Sequence, residues 1–111
     1  MRTNLEMIRG DTLSFAVEIE IDDNPQKLEK AFFTCKKNLD DGDAVFQKTL
    51  EDGISFRKQE LNKMYYVVRI SPYDTKDIEA GNYFYDMQIE LNDDVFTILT
   101  GALKVRHGIT E

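Results

Sequence analysis

Cysteine and histidine are nearly absent from this chain, which has one of each, Cys35 and His107. A single cysteine forms no internal disulfide, and the usual zinc sites need about four cysteine, histidine or carboxylate ligands. His107 lies close to the chain terminus, where fraying is common, so a catalytic triad built on it is disfavoured. We therefore interpret His107 as a surface residue, and Cys35, which shares strand parity with Phe33, as a small buried hydrophobe. The sequence assigns no catalytic, cofactor-binding or metal-binding residue, and we expect a protein that is not an enzyme.

Long apolar runs and basic clusters are also missing. No apolar stretch approaches the ~20 residues that a membrane-spanning helix needs, and the first residues lack the apolar core of a signal peptide. The 111 residues include 21 acidic and 14 basic side chains, with a formal net charge of −7. Because phosphate neutralisation supplies most of the affinity of nucleic-acid-binding proteins, scattered lysines and arginines argue against that function. We expect a protein made in the cytoplasm, with no nucleic-acid partner and no membrane insertion.

Two segments alternate between apolar and polar residues along almost their whole length. In Thr12–Ile21 and in Asn82–Leu91 every odd-numbered residue is apolar, and most even-numbered residues are polar. Successive strand side chains point to opposite faces of a sheet. This period of two therefore predicts two strands, each with one buried and one solvent-exposed face.

Shorter apolar segments between turn-forming residues predict the remaining strands. Single helical turns are predicted at Pro25–Lys30 and at Asp74–Glu79, the latter capped by Asp74. Seven or eight short strands at intervals of about 8–12 residues are typical of β-sandwiches. Residues 1–111 are therefore predicted to form one all-β domain, an immunoglobulin-like antiparallel β-sandwich of seven or eight strands, with a small barrel as the alternative. The shorter predicted strands are Leu5–Arg9, Ala31–Lys37, Val45–Leu50, Ile54–Phe56, Met64–Ile70 and Val95–Val105.

Four segments carry finer predictions. Leu5–Arg9 is expected to be a short edge strand. Met64–Ile70 is apolar on both parities, which predicts a central strand covered on both sides. Asn92–Asp94 predicts a tight hairpin between two long strands. Gly101 marks the position where a bulge or kink is expected in the last strand.

Three acidic loops and one tripeptide resemble binding motifs but also have an ordinary role as turns. The tripeptide Arg9-Gly10-Asp11 matches an integrin-binding motif, and it also fits a turn into the next strand, which we favour. Calcium takes about six to eight oxygen ligands, so carboxylate-rich loops are candidates for it. Aspartate and asparagine are equally common in solvated turns, and no loop has EF-hand spacing, so we favour turns here too. The acidic loops are Asp22-Asp23-Asn24, Asp40-Asp41-Gly42-Asp43 and Asp93-Asp94.

Aromatic residues form two groups with a structural and a functional interpretation. Tyr83–Tyr85 begins a strand just after Gly81, where a tyrosine of immunoglobulin-like domains often hydrogen-bonds back across the corner. We favour this corner over a ligand platform. The second group is favoured as core, with an exposed interface patch as the alternative, because tyrosine is enriched where one end of the side chain stays hydrated. Its members are Tyr65, Tyr66, Tyr73 and Phe84.

Three segments resemble a known family. They read Arg-Gly-Asp-Thr-Leu-Ser-Phe at 9–15, Val-Phe-Gln-Lys-Thr at 45–49 ahead of an Asp-Gly turn, and Ser-Pro-Tyr-Asp-Thr at 71–75 leading to Gly-Asn-Tyr-Phe-Tyr-Asp-Met-Gln at 81–88. Together they resemble small immunoglobulin-like domains of tailed phages and prophages, notably the N-terminal domain of phage baseplate upper proteins. The resemblance implies a virion component that docks onto other tail or baseplate proteins and has no catalytic residues.

Two functional hypotheses stand beside each other at this stage. The first is a non-enzymatic phage or prophage tail or baseplate structural protein. It would join other tail or baseplate proteins, or further copies of itself as a homo-oligomer, through sandwich faces or edge strands. The alternative is a carbohydrate- or ligand-binding β-sandwich module, with calcium as a candidate ligand. That alternative predicts that Tyr65 or Tyr73 is exposed beside an acidic loop.

Overall fold

The structure is a computed structural model that describes residues 2–20, 28–91 and 93–109. In these ranges eight strands form one sheet with the order β1-β8-β7-β3-β4-β5-β6-β2. Neighbouring strands are antiparallel except for β1 with β8 and β4 with β5. The elements in chain order are β1 (Leu5–Ile8), β2 (Leu13–Glu20), β3 (Lys30–Lys36), β4 (Phe46–Leu50), β5 (Gly53–Glu60), β6 (Lys63–Ile70), α1 (Pro72–Thr75), β7 (Gly81–Leu91) and β8 (Asp94–Arg106).

The sheet folds into two layers between β4 and β5. Only two residue pairs join these strands, Thr49 with Gly53 and Leu50 with Ile54. As a result, β2 at one end of the strand order packs over β3 in its middle. The rings of Phe15 and Phe33 meet edge to face with centroids 5.8 Å apart. The prediction of an all-β fold of seven or eight strands is confirmed, and eight are present in the described residues. Its two layers stay joined at β4–β5, so the fold combines features of a sandwich and of an incompletely closed barrel.

The core lies between the two layers and is built from the inward-facing parity of each strand. The alternation in the second and seventh strands is the one predicted, although Ile21 lies outside the described residues. Because apolar burial is the dominant favourable term in folding, this shared core holds the layers together. Its most completely buried large side chains are Tyr66, Phe33, Ile54, Met64, Ile70, Met87, Leu103 and Val68.

The helical turn differs from the prediction at Asp74–Glu79. α1 covers Pro72–Thr75, and Ser71 is its N-cap. Asp74 is instead the third helical residue, and its carboxylate accepts hydrogen bonds from the Ser71 backbone N–H and side-chain hydroxyl. Proline at the first helical position already has a helical φ, which explains the earlier start. The helical turn predicted at Pro25–Lys30 falls mostly outside the described residues, and Lys30 begins β3.

Three of the finer strand predictions are confirmed or corrected by the pairing. β1 is an edge strand, and Leu91 pairs with Asp94, which closes the predicted tight hairpin. β6 is flanked by β5 and β2, but only one of its faces is buried, because Tyr65 and Val67 are half-exposed. Coverage of this strand on both sides was therefore a wrong prediction.

The predicted bulge in the last strand lies three residues before Gly101. Met87 pairs with Leu99 and Gln88 with Thr97, so Ile98 is the extra residue. Gly101 itself is needed for a close backbone approach, which is described below.

α1 has four residues, and among residues 2–20, 28–91 and 93–109 there is no helix with the length and hydrophobicity to cross a membrane.

Candidate functional site

The corner that leads into β7 is closed by a tyrosine, as predicted. The Tyr83 hydroxyl donates a hydrogen bond to the backbone oxygen of Glu79 at 2.6 Å. The Lys37 ammonium lies 4.6 Å from the centre of the Tyr83 ring. Burial raises the pKa of Tyr83, and the nearby charge of Glu79 raises it further. This side chain is therefore held neutral as a structural donor.

A nearly buried ion pair joins β4 to the helical turn. Lys48 Nζ lies 3.1 and 3.0 Å from the two carboxylate oxygens of Asp74, and the two side chains are 10% and 13% exposed. Ser71 binds the same carboxylate through its backbone N–H at 2.7 Å. Gly53 packs on the lysine stem, since a Cβ there would lie 2.3 Å from Lys48 Cε. Every described contact of the Asp74 carboxylate is therefore with a residue that it helps to hold in place.

The same corner holds the tripeptide at 9–11. Gly10 has a φ of +83°, and Asp11 N–H donates to Ile8 O at 3.0 Å, so the tripeptide forms a tight turn. The Gly10 N–H donates to the buried Thr75 hydroxyl at 2.9 Å. Arg9 Nη1 donates to a backbone oxygen, that of Ile78, at 3.2 Å. The turn role is therefore confirmed, and the arginine is bound to the fold rather than presented as a ligand.

The chain segment before β1 crosses closely over β8. The Tyr85 hydroxyl donates a hydrogen bond to Thr3 O. A Cβ at Gly101 would lie 1.9 Å from the same Thr3 oxygen and 3.1 Å from the Tyr85 ring. Glycine is therefore required here to let the backbone approach, and it pairs in register with the aromatic residue.

The sequence-level candidates for chemistry are not brought together. His107 is exposed, and Cys35 is fully buried on the core side of β3. Burial raises the pKa of the Cys35 thiol to about 12, so it stays protonated and unreactive. Within the part of the chain that the structure describes, no group of three or more histidine, cysteine, aspartate or glutamate residues could hold a metal ion.

The acidic loops act as turns where they are described. Asn38 N–H donates to Asp41 Oδ2 at 3.1 Å, and Asp41 N–H donates to Asn38 O at 3.1 Å. Asp93 has a φ of +69° in the β7–β8 hairpin. Such left-handed turn positions suit aspartate and asparagine. The third loop, Asp22–Asn24, lies outside the described residues.

The second aromatic group does not form one patch. Tyr66 is buried in the core, and its hydroxyl accepts a hydrogen bond from Leu28 N–H at 3.0 Å. Tyr65 and Phe84 point away from the core on opposite layers, in β6 and β7. Tyr73 is 78% exposed, with Lys76 Nζ 4.8 Å from its ring centre. Core packing is thus right for Tyr66 alone.

An exposed apolar strand edge is the feature that sequence reasoning missed. β1 pairs with β8 from Leu103 onward, and an isolated bridge of Arg2 with Thr100 extends that contact by three residues. The preceding part of β8, Asp94–Leu99, has no neighbour on this side among the described strands. We call this segment the open edge of β8. Val95 and Phe96 on it are 55% and 49% exposed.

A groove runs beside this edge, between the two ends of the folded sheet. Its cavity volume is about 410 Å³, and its walls come from β1, β2 and the bulged part of β8. Phe15, Leu5 and Leu99 are partly buried residues that line it. β2, the strand at the other end of the order, also has an unpaired edge among the described strands, but it carries the exposed residues Glu18 and Glu20. Charged side chains protect an edge from pairing, and Val95–Leu99 has none.

One sequence signal for this edge existed. Val95–Leu99 is uncharged in a chain of which 32% of residues are charged. The same run is equally compatible with a fully buried strand, so only the pairing shows that it is exposed.

Comparisons with known proteins show a fold but no family. No protein-family model matches the chain, and no curated protein is significantly similar to it. One similar structure is that of a family 123 glycoside hydrolase from Clostridium perfringens, which acts on the glycan of glycolipids. The alignment covers 99% of this chain and 24% of that chain, at 11% identity and a TM-score of 0.58. At this identity the likeness shows the fold alone.

A second similar structure comes from β subunits of voltage-gated sodium channels, which make multimeric cell-adhesive interactions. It covers 94% of this chain and 91% of that chain, at 13% identity and a TM-score of 0.46. Of the two, the first supports a shared fold, and this chain spans about a quarter of that hydrolase.

Proposed function

We propose that this protein is a non-enzymatic structural protein of a phage or prophage tail or baseplate, and that it acts through protein–protein contacts. The observation that carries the proposal is the open edge of β8. Its backbone donors and acceptors face outward beside two half-exposed apolar side chains, Val95 and Phe96. Such an edge is a template for another chain, and natural proteins that remain monomeric usually block it.

The tail or baseplate setting is supported by the resemblance of three sequence segments to phage baseplate domains. These segments meet in the fold. Lys48 of the second segment binds Asp74 of the third, and Gly10 of the first binds Thr75 of the third. The three segments that carry the resemblance are therefore in contact with one another and form one corner of the fold.

The absence of catalysis is supported by the state of the reactive groups in the described residues. The thiol of Cys35 is buried and protonated, and the carboxylate of Asp74 is saturated by Lys48 and Ser71. Acid–base or nucleophilic catalysis needs a perturbed group facing a cleft. The buried cysteine meets the first condition but faces the core.

The proposal is tested on phage particles. The phage or prophage that encodes the chain is induced, tailed particles are purified by density gradient, and their proteins are quantified by mass spectrometry. We expect the chain at a fixed copy number relative to the known tail proteins. Tail-less capsids from the same lysate are the matched control and should lack it. Its absence from intact tailed particles would contradict the tail or baseplate role.

A second candidate, carbohydrate binding, is favoured by the exposure of Tyr73. An exposed aromatic ring is a common platform for a sugar, and this ring stands outside the core beside Lys76. A glycan array with the wild-type protein and with Tyr73→Ala tests it, in the presence and absence of calcium. Binding that is lost in the variant would support this candidate, and a blank array with no calcium-dependent shift in melting temperature would exclude it.

A further inference from the structure

The open edge of β8 matches a second copy of the same strand in length, in residue content and in neighbouring charge. We propose that two copies of this chain pair antiparallel through Asp94–Ile98, around a two-fold axis at Phe96, and so form one continuous sheet. The proposal deepens the proposed function, on which its biological setting rests, by naming the surface and the partner.

The face alternation of β8 selects the register. Val95 pairs with Glu90 and Phe96 with Ile89, so Phe96 lies on the core side of the sheet and Val95 on the outer side. Directly opposite residues of an antiparallel pair lie on the same face. A two-fold axis at Phe96 satisfies this condition, because it places Phe96 opposite Phe96, and Val95 opposite Thr97 of the second copy. Asp94 then faces Ile98, so no carboxylate meets another carboxylate.

The length of the open edge fits this register. The segment before β1, followed by β1 itself, takes up the neighbouring position from Thr100 onward, where Thr3 N–H donates to Thr100 O at 2.8 Å. The second copy therefore has space beside Asp94–Leu99 only, and the proposed pairing uses five of these six residues. The extra residue Ile98 is the last of the five, so the irregularity in β8 falls at the two ends of the paired stretch and leaves Val95–Thr97 regular.

Charge complementarity supports the same arrangement. The axis at Phe96 brings Asp93 of the second copy beside Leu99, one strand step from Thr100, which is the bridge partner of Arg2. Asp93 stands in the hairpin beyond the paired residues Asp94–Ile98, next along this edge to Arg2, whose long side chain can extend to its carboxylate. Because the pairing is symmetric, the contact between Arg2 and the acidic hairpin at Asp93 and Asp94 occurs twice. All three side chains are exposed in the single chain and available for it.

Burial of Phe96 gives the pairing its apolar component. The ring lies on the core side of β8, yet it is 49% exposed, because no described strand covers it from the side. In the proposed pair each ring is covered by its equivalent, and cross-strand aromatic pairs stabilise antiparallel sheets. Two-fold symmetric pairing is also the commonest form of homo-oligomer. The other end strand, β2, is excluded as the pairing edge by Glu18 and Glu20.

Sedimentation equilibrium of the purified chain, from about 5 µM to about 1 mM, tests the pairing directly. We expect a concentration-dependent doubling of mass. Phe96→Glu places two carboxylates opposite each other at the axis and should raise the dissociation constant of the dimer more than tenfold. Phe84→Glu, which makes the same change at an exposed phenylalanine of the adjacent strand β7, should leave the dimer intact. Far-UV circular dichroism confirms that both variants fold.

Charge reversal tests the register without relying on a destabilising change in the core. Arg2→Glu alone and Asp93→Lys alone should each weaken the dimer, and the double variant should restore it, because the opposite charges then meet again with their signs exchanged. A matched reversal of the exposed pair Lys58 and Glu60, which lies on β5, should change nothing.

The outcomes separate this inference from the proposed function. A mass of one chain at every concentration, a dimer that survives Phe96→Glu, or a double charge reversal that does not restore pairing would each overturn the strand pairing. If the chain is nevertheless present in tailed particles, the structural role stands without it. If the chain dimerises as expected but is absent from particles, the pairing stands and the tail assignment fails.

Discussion

Lys48 and Asp74 form a bidentate contact between β4 and the helical turn, with Nζ 3.1 and 3.0 Å from the two carboxylate oxygens. Both side chains are nearly buried, so water is a poor substitute for either partner. A nearly buried charge that loses its partner is costly, whereas the intact pair is close to neutral against well-packed apolar residues. The pair therefore specifies where α1 docks against β4 more than it adds to stability.

Removing the lysine charge tests this interpretation. Lys48→Met leaves the Asp74 carboxylate without its cation, and we expect the free energy of unfolding to fall by about 3 kcal/mol. Urea unfolding followed by circular dichroism measures it. Lys58→Met is the control, because the Lys58–Glu60 pair is exposed and screened by water, and its loss should leave the free energy of unfolding almost unchanged. Equal losses in the two variants would contradict a docking role for the nearly buried pair.

The tyrosine corner predicts a second stability effect. Tyr83→Phe keeps the buried ring and removes the hydrogen bond to Glu79 O, which leaves that oxygen without this donor. We expect a loss of about 1–2 kcal/mol in the free energy of unfolding. The matched variant Tyr73→Phe removes a hydroxyl from an exposed ring and should have no measurable effect. If Tyr83→Phe is as stable as the wild type, the corner bond is not a determinant of this fold.

The burial of Cys35 predicts that its thiol reacts slowly with labelling reagents at neutral pH, and that the protein loses stability at alkaline pH. The folded pKa of Cys35 is about 12, above its usual value of 9.0. The contribution of the buried, protonated thiol to the free energy of unfolding is therefore fully present below about pH 9 and is lost as the pH rises toward 12. Burial also raises the pKa of Tyr66 and Tyr85, which adds to the loss above the usual tyrosine value of 10.0.

Two measurements check this expectation. Ellman's reagent at pH 8 should label the thiol of Cys35 only as fast as the protein unfolds, whereas an added surface cysteine, Tyr73→Cys, should react within seconds. The free energy of unfolding of Cys35→Ala should depend less steeply on pH between about 9 and 12 than that of the wild type. Rapid labelling of the native thiol would show that Cys35 is accessible and overturn the prediction.

The close approach at Gly101 predicts a third effect. In Gly101→Ala the new methyl group meets the Thr3 backbone oxygen, which has to move together with the segment before β1. We expect a loss of about 2 kcal/mol and faster hydrogen exchange at the Thr3 amide, whose bond to Thr100 O fixes that segment.

Gly42→Ala is the control for this change, because a Cβ at Gly42 has no atom within 4 Å. It should change stability by no more than about 0.5 kcal/mol, in either direction, as is usual at surface positions. Unchanged exchange at the Thr3 amide in Gly101→Ala would mean that the segment tolerates the methyl group.

The positions of the strands were well predicted because the alternation of apolar and polar residues within each strand follows which of its faces is buried. The alternation in Leu13–Glu20 and Gly81–Leu91 depends only on which face of the strand meets water, and it is visible within ten residues. The tight hairpin and the Tyr83 corner are equally local, since their partners are three and four residues apart. These features were therefore available from the sequence.

Apart from the β7–β8 hairpin, the pairing partners of the strands were decided by the tertiary structure. β1 and β8 come from opposite ends of the chain, and Lys48 meets a carboxylate 26 residues away. The partly exposed face of β6 and the bulge at Ile98 also depend on what packs nearby. An uncharged run such as Val95–Leu99 has the same pattern in a covered strand and in an open edge. Only the order of the strands, set by long-range packing of the shared core, leaves this run at the surface, where a second chain can pair with it.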